Sequence, residues 1–131
     1  DGARRVVVTG PDASPDLPPG VEHLVVDAGP VGLAPAAVAD ALAAAGLGRL
    51  LIEGGAQTVS RFLAAGALDR LHVIVAPVLI GAGPTGIALP GVERLADVRR
   101  PPAGIYRLGG DVLFDCDLAA ARPAASRPEP S

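Results

Sequence analysis

The sequence predicts an α/β fold with a mostly parallel central sheet and an antiparallel hairpin at its C-terminal end. Short apolar runs that are typical of strands alternate with segments whose apolar residues have helical spacing. The last two predicted strands flank the dipeptide Gly109-Gly110, which is typical of a tight hairpin turn. At 131 residues, the chain has room for a single core.

The first part of the chain is predicted to form two strands and a helix. We expect strands at residues 5–9 and 23–27, joined by a loop rich in Pro and Asp. A helix is expected at residues 35–45, because Pro35 suits the first helical position and Gly46 can close the helix in a left-handed conformation. The apolar face of this helix comprises Val38, Ala41, Leu42 and Ala45.

The remainder continues the alternation. A strand at residues 49–53 leads to a helix at 56–65, whose inward face holds Val59, Phe62 and Leu63. The next strand, at residues 70–76, ends in an apolar run at residues 73–76, which predicts a central position covered on both faces. The last elements expected in this domain of residues 1–118 are a loop with one helical turn at 89–98 and hairpin strands at 104–108 and 111–118, followed by a disordered tail at 119–131.

The composition of the chain argues against several classes of function. All 11 basic residues are Arg, which excludes a catalytic lysine that forms a Schiff base. The net charge of −3, with no basic run longer than a pair, disfavours nucleic-acid binding. Cys116 is the only cysteine, and His23 and His72 lie far apart, so we expect neither an intramolecular disulfide nor a metal site. His72 is expected to be a packed, hydrogen-bonded core or interface residue, and Cys116 is expected to be a small buried hydrophobic residue.

The same features predict a soluble protein in a reducing, cytoplasmic setting. The longest apolar stretch, residues 71–80, is interrupted by His72 and Pro77 and is too short to span a bilayer. The sequence opens without the charged and apolar segments of a secretory signal. No membrane partner is therefore expected.

The turn at Glu53-Gly54-Gly55 is the strongest candidate for a binding site. It lies between a predicted strand and a predicted helix, where the first N–H groups and the positive end of the helix dipole favour an anion. The alternative is an ordinary connection that uses glycine only for its backbone dihedrals. The turn alone leaves both interpretations open.

Four motifs occur in a fixed order along residues 5–118: the E-G-G turn, A-G-x-x-D before a strand, A-P-x-x-x-G at the end of that strand, and L-P-G-x-x-x-L. Together they resemble the reductase domain of bacterial riboflavin biosynthesis, the C-terminal half of the bifunctional pyrimidine deaminase/reductase. The resemblance implies a three-layer fold like that of dihydrofolate reductase, NADPH as cofactor, and a homodimer. The implied reaction reduces the ribosyl group of 5-amino-6-(5-phosphoribosylamino)uracil to ribityl.

Members of that family carry an N-terminal segment that closes over the pyrimidine and the nicotinamide. The resemblance therefore implies that this chain begins part-way through such a domain. We expect a partial domain, completed either by homodimerisation or by pairing with the missing segment. Two other functions stay open: a non-catalytic nucleotide- or phosphate-binding domain, and a structural fragment completed by a partner.

The resemblance also implies roles for individual residues. Glu53 matches an acid that contacts the sugar-phosphate substrate, and the alternatives are a cap on the glycine turn or an ion pair with an arginine. Backbone amides, the hydroxyl of Thr58 or Ser60 and the guanidinium of Arg61 would hold the phosphates of the cofactor. The matching segment comprises Gly54, Gly55, Ala56, Gln57, Thr58, Ser60 and Arg61, with Val59 assigned to the core.

A second glycine pair, Gly81 and Gly83, follows the strand at residues 70–76 and is also assigned to the cofactor. Two glycines spaced by one residue permit close approach of a ligand, and a bulge or an ordinary loop is the alternative. The resemblance identifies no proton donor in this chain.

Overall fold

The computed structural model describes residues 2–121, which fall into two compact units that divide between Ala67 and Leu68. Strands and helices both occur, so the α/β class is confirmed. Residues 122–131 of the predicted tail lie outside the described residues. Between residues 2 and 121, no helix is long and apolar enough to cross a membrane.

The first unit begins with a parallel pair of strands, β1 (Arg5–Thr9) and β2 (Val21–Val25). β1 lies where it was predicted, whereas β2 begins at Val21 rather than His23. The ladder continues past the strands, because the N–H of Val26 donates to the carbonyl of Thr9 at 2.9 Å.

A short antiparallel hairpin follows, formed by β3 (Ala28–Gly29) and β4 (Gly32–Leu33). Gly32 has a φ of +87°, a left-handed conformation that favours glycine. The hairpin was not predicted, because strands of two residues leave no readable alternation of apolar and polar residues.

Two helices complete the first unit, α1 (Pro35–Ala44) and α2 (Ala56–Ala64), close to their predicted bounds. Both are followed by a glycine of positive φ, 86° at Gly46 and 66° at Gly66. The residue after each glycine donates its N–H to a carbonyl of the last helical turn, at 2.9 Å in both cases. These glycines therefore end the helices by satisfying carbonyls that would otherwise lack donors.

Arg4 connects both strands of the parallel pair to α1. Its guanidinium donates two hydrogen bonds to the carboxylate of Glu22, one of them from Nη2 at 2.7 Å. Its Nη1 donates to the carbonyl of Ala45 at 2.6 Å, where a cation also meets the negative end of the helix dipole. The hydrogen bonds from Arg4 hold the pKa of Glu22 below its usual value.

Residues 49–53 do not form the predicted strand. Strands exist through hydrogen bonds to a neighbour, and this segment has no partner strand within residues 2–121. Leu51 is 78% exposed, so the apolar run is not buried on both faces either. An apolar run predicts a strand only where the fold supplies a neighbour for it.

The core of the first unit forms around α2. Leu63 and Val26 are each 7% exposed, and Ser60 is 5% exposed. These three are the buried residues of the described chain, while Val59 and Phe62 are half-buried. The predicted inward face of α2 is therefore confirmed.

The second unit is a three-stranded antiparallel sheet in the order β5-β7-β6, with β5 at Arg70–Val75, β6 at Ala103–Leu108 and β7 at Asp111–Asp117. The predicted C-terminal hairpin is confirmed, with Gly109 in its turn at a φ of +64°. A single 3₁₀ turn at Leu95–Asp97 confirms the helical turn expected there.

The sheets differ from the prediction in two ways. β5 lies at an edge, because β7 pairs with β5 on one side and with β6 on the other. In the described residues only β1 and β2 pair in parallel, so the sheet structure is not mostly parallel. The apolar pattern of a strand indicates whether its faces are buried. It does not identify the strands that pair with it, or whether they run parallel or antiparallel to it.

An ion cluster lies on one face of the second unit's sheet. Asp115 on β7 accepts hydrogen bonds from Arg70 Nε at 3.0 Å and from Arg70 Nη2 at 2.7 Å. His72 Nε2 lies 3.1 Å from Asp115 Oδ1, and its side chain is 57% exposed, so His72 is not the core residue that we expected. The hydrogen bonds from Arg70 lower the pKa of Asp115, and His72 lowers it further.

We expect Asp115→Asn to reduce stability at neutral pH and to have little effect in acid. The folded pKa of Asp115 lies below its unfolded value of about 3.8, so its contribution is complete above that value. It is lost as the pH falls through the folded pKa. Urea unfolding of both proteins from neutral pH to about pH 2 should give midpoints that converge in acid.

Glu93→Gln is the matched control for that change, because Glu93 makes no ion pair or hydrogen bond within residues 2–121. Its midpoints should follow those of the wild type at every pH. A difference between wild type and Asp115→Asn that does not depend on pH would contradict the ionic role of Asp115.

Candidate functional site

The predicted anion-binding turn lies at the start of α2. Gly55 is the N-cap residue, with φ −62° and ψ 165°. No side-chain hydrogen bond caps this end, and the first helical turn contains no acidic residue. The positive end of the helix dipole is therefore open to a negatively charged group.

The first amides of α2 are the donors of this site. Thr58 already donates its N–H to the carbonyl of Gly55 at 3.0 Å. The N–H groups of Ala56 and Gln57 have no acceptor within the helix, because the first N–H groups of any helix precede the residues whose carbonyls could accept from them. Gln57 and Thr58 are exposed, so a phosphate oxygen can approach this turn from solvent.

The two glycines of the turn have different surroundings. A Cβ added to Gly54 would lie 3.1 Å from the Cβ of Thr58, whereas a Cβ added to Gly55 would meet nothing within 4 Å. Neither glycine has a positive φ, so the dihedrals of the turn do not require glycine. Gly54 lets the backbone pass close to Thr58, and Gly55 keeps open the space in front of the helix.

Glu53 lies beside this space with an exposed side chain. Within residues 2–121 its carboxylate makes neither a hydrogen bond nor an ion pair. The two alternatives considered for Glu53, a cap on the turn and an ion pair with an arginine, are therefore not observed. The carboxylate has its full capacity to accept hydrogen bonds from a ligand.

A shallow cleft of about 130 Å³ opens beside α2. Thr58 and Arg61, both predicted cofactor residues, form its polar part. The rest of the lining is apolar and comprises Leu33, Pro35, Val38 and Phe62. The structure thus brings part of the predicted site next to an apolar surface contributed by α1 and α2.

Two predicted cofactor residues have other positions than expected. Ser60 is only 5% exposed, so its hydroxyl belongs to the interior and does not face a ligand at the turn. Arg61 directs Nη2 to the carbonyls of Val31 and Leu33, at 2.9 and 2.8 Å. Both residues follow the turn in sequence, but Ser60 lies in the interior and Nη2 of Arg61 is occupied by the two hairpin carbonyls.

Gly81 and Gly83 belong to the second unit. Gly81 has a φ of +84°, which explains glycine at that position by backbone conformation. A Cβ at Gly83 would meet nothing within 4 Å, so Gly83 is not required by packing. Their assignment to the cofactor stays a prediction.

The hairpin carbonyls that hold Arg61 were missed by the sequence reasoning. A backbone acceptor has no signature in the sequence, and the available signal was the closely spaced pair Gly29 and Gly32 before α1. Across residues 2–121, no group of three or more His, Cys, Asp or Glu side chains is arranged to hold a metal ion.

We expect Gly54→Ala to destabilise the protein by about 1 kcal/mol, because its methyl group would crowd Thr58. Gly55→Ala should stay within about 0.5 kcal/mol of the wild type, since a weaker N-cap is offset by lower entropy of the unfolded chain. Urea unfolding of the two variants measures the difference. Equal losses would show that the turn differs from the geometry described.

Comparison with known proteins agrees with this architecture. The chain is similar to a solved structure of Acinetobacter baumannii RibD, form 2, with a TM-score of 0.62 and 20% sequence identity. The match covers 87% of this chain and 37% of that chain, so this chain spans little more than a third of that protein. In all, 17 chains of solved structures match. The likeness confirms the predicted fold, which resembles dihydrofolate reductase.

No curated protein matches the chain. The sequence model of the RibD C-terminal domain, however, matches residues 1–114, which is most of the sequence. These residues contain the E-G-G turn, both helices and most of the three-stranded antiparallel sheet. The chain therefore belongs to the family of RibD C-terminal domains, the family that its motifs resemble.

Proposed function

We propose that this chain is part of an NADPH-dependent reductase of riboflavin biosynthesis. Its substrate would be 5-amino-6-(5-phosphoribosylamino)uracil, whose ribosyl group is reduced to ribityl. The observation that carries the proposal is the E-G-G turn, which opens onto an uncapped helix end with free space at Gly55. Membership of the RibD C-terminal domain family supports the same reaction class. The free thiol of Cys116 fits a reducing, cytoplasmic setting.

The start of α2 suits the phosphates of a dinucleotide cofactor. Two amides, from Ala56 and Gln57, and the exposed hydroxyl of Thr58 would donate hydrogen bonds to phosphate oxygens. The absence of an acidic residue from the first helical turn avoids repulsion of the same charge. The residues present therefore fit the group that the family implies.

Glu53 would orient the substrate. An exposed carboxylate without a partner can accept hydrogen bonds from the hydroxyls of a ribose. Because Glu53 lies next to the proposed phosphate-binding turn, it would hold the sugar close to the cofactor. Correct placement of two reactants supplies a large part of the rate enhancement of an enzyme. When bound, NADPH supplies the hydride, and the contribution of this chain is to bind and orient.

The experiment that tests the cofactor site is a fluorescence titration of the chain with NADPH, repeated with Gly55→Asp. The aspartate puts a negative charge where a phosphate would lie, so binding should be lost. Aspartate is also a good N-cap residue, so the variant should be as stable as the wild type or more so. Loss of binding with unchanged or raised stability would separate a local effect from unfolding.

Gly55→Ala serves as the control for side-chain size, and it should bind NADPH more weakly than the wild type but better than Gly55→Asp. Inorganic phosphate should compete with NADPH in the wild type. If Gly55→Asp binds NADPH with wild-type affinity, the cofactor site is not at this turn.

We further propose that the chain functions as a homodimer, as its family resemblance implies. Large apolar side chains stay exposed in the second unit, including Leu79 at 105%, Ile80 at 85% and Ile105 at 67%. Apolar surface of this extent is typical of an interface.

Light scattering coupled to size-exclusion chromatography is expected to give twice the mass of 13.0 kDa. Ile105→Glu puts a charge at one of these exposed positions and should shift the protein towards the monomer. A monomer at all concentrations of the wild type would contradict the homodimer.

A further inference from the structure

Arg61 makes an unusual set of contacts for a residue predicted to bind phosphate. Its Nη2 donates to the carbonyl of Val31 at 2.9 Å and to the carbonyl of Leu33 at 2.8 Å. Between those two residues lies Gly32, and a Cβ added there would be 3.6 Å from the same Nη2. The guanidinium therefore lies over β4, where the chain leaves the turn of the β3–β4 hairpin.

This contact connects two parts of the first unit that are distant in sequence. Leu33 is followed immediately by Ala34, the N-cap residue of α1. Arg61 belongs to α2 and also lines the cleft that Pro35 and Phe62 share. Its side chain thus ties α2 to the hairpin at the point where the chain enters α1.

The tie affects the direction in which α2 points. The amides of Ala56 and Gln57 are aligned with the axis of α2, so any tilt of the helix turns them away from a bound phosphate. Leu63 fixes one side of the helix by burial, at 7% exposure. Arg61 fixes a second side through two hydrogen bonds from a charged donor, which are stronger than neutral ones.

We propose that Arg61 is a positioning residue, which holds α2 against the β3–β4 hairpin and does not contact the cofactor phosphate itself. This inference rests on the proposed binding of NADPH at the E-G-G turn. Arg61 acts through Ala56 and Gln57, whose direction it maintains. A phosphate that bound Nη2 would compete with the two backbone carbonyls to which this nitrogen already donates.

The test compares NADPH affinity for the wild type, Arg61→Lys and Arg61→Gln at low and high ionic strength. Lysine keeps the charge but lacks the planar fork that lies over the hairpin. If Arg61 positions the helix, both variants should lose affinity by a similar factor, on the order of tenfold, as when other orienting residues are removed. The salt dependence of binding to Arg61→Lys should be that of the wild type, since the positive charge is kept.

Hydrogen exchange of the hairpin gives a readout of the tie itself. Amides of residues 28–33 should exchange faster in both variants, while those of β5 in the second unit serve as the internal reference. Arg49→Gln is the control for removal of a positive charge, because Arg49 is exposed and makes no hydrogen bond or ion pair within the described part of the chain. It should bind NADPH as the wild type does.

Three results would overturn the inference. Wild-type affinity in Arg61→Lys, together with weaker binding and a shallower salt dependence in Arg61→Gln, would make Arg61 a phosphate contact. Wild-type affinity in both variants would leave it no role in binding. Unchanged hydrogen exchange in the hairpin would show that Arg61 does not hold α2 against it.

The failure of the proposed function is recognised separately, because it would appear as the absence of NADPH binding by the wild-type chain. In that case the exchange of residues 28–33 still decides whether Arg61 holds the hairpin. Faster exchange in both variants supports the tie, and unchanged exchange overturns it.

Discussion

Helix α2 packs one side against the core while the amides at its N-terminal end stay accessible to solvent. The rest of the first unit is arranged around these two constraints. Burial of Leu63 is worth about 1.5–3 kcal/mol on general grounds, which makes it the strongest single anchor of the helix. The ion pair of Arg4 and Glu22 is exposed and screened by solvent, so it can align the strands without matching that contribution. At its other end α2 stays uncapped, and an uncapped end is unfavourable unless water or a ligand meets its amides.

The second unit buries less of its side-chain surface than the first. All residues of β7 are half-buried, and no residue of that unit within the described chain is fully buried. With aromatic residues at 2% of the sequence, the side chains available to cover a sheet are short. Exposed apolar residues such as Leu79 and Ile80 follow from this composition, because there is little bulk within the unit to cover them.

The sequence was a good guide where structure is decided locally. Pro35, Gly46 and Gly66 act within a few residues of themselves, and the helices begin and end close to the predicted positions. Pairing is decided by distant residues, so the segment at 49–53 and the edge position of β5 could not be foreseen.

The site divides in the same way. The open turn at Gly54 and Gly55 was predicted from its own residues, and the structure shows it as an uncapped helix end. The contacts of Arg61 depend on the carbonyls of Val31 and Leu33, which belong to a hairpin without a sequence pattern. The burial of Ser60 depends on which face of α2 packs against the core. Neighbouring residues in a helix lie on different faces, so a residue next to an exposed one can be buried.

The strand order β5-β7-β6 has a consequence for the time at which the second unit can fold. The middle strand is the last to be synthesised, so β5 leaves the ribosome well before any neighbour exists for it. Arg70 must wait for Asp117, its partner in the ladder, and β6 can pair only when the chain turns back at Gly109. Until then the backbone edge of β5 is unpaired and exposed, which makes this half of the chain prone to misassembly during translation.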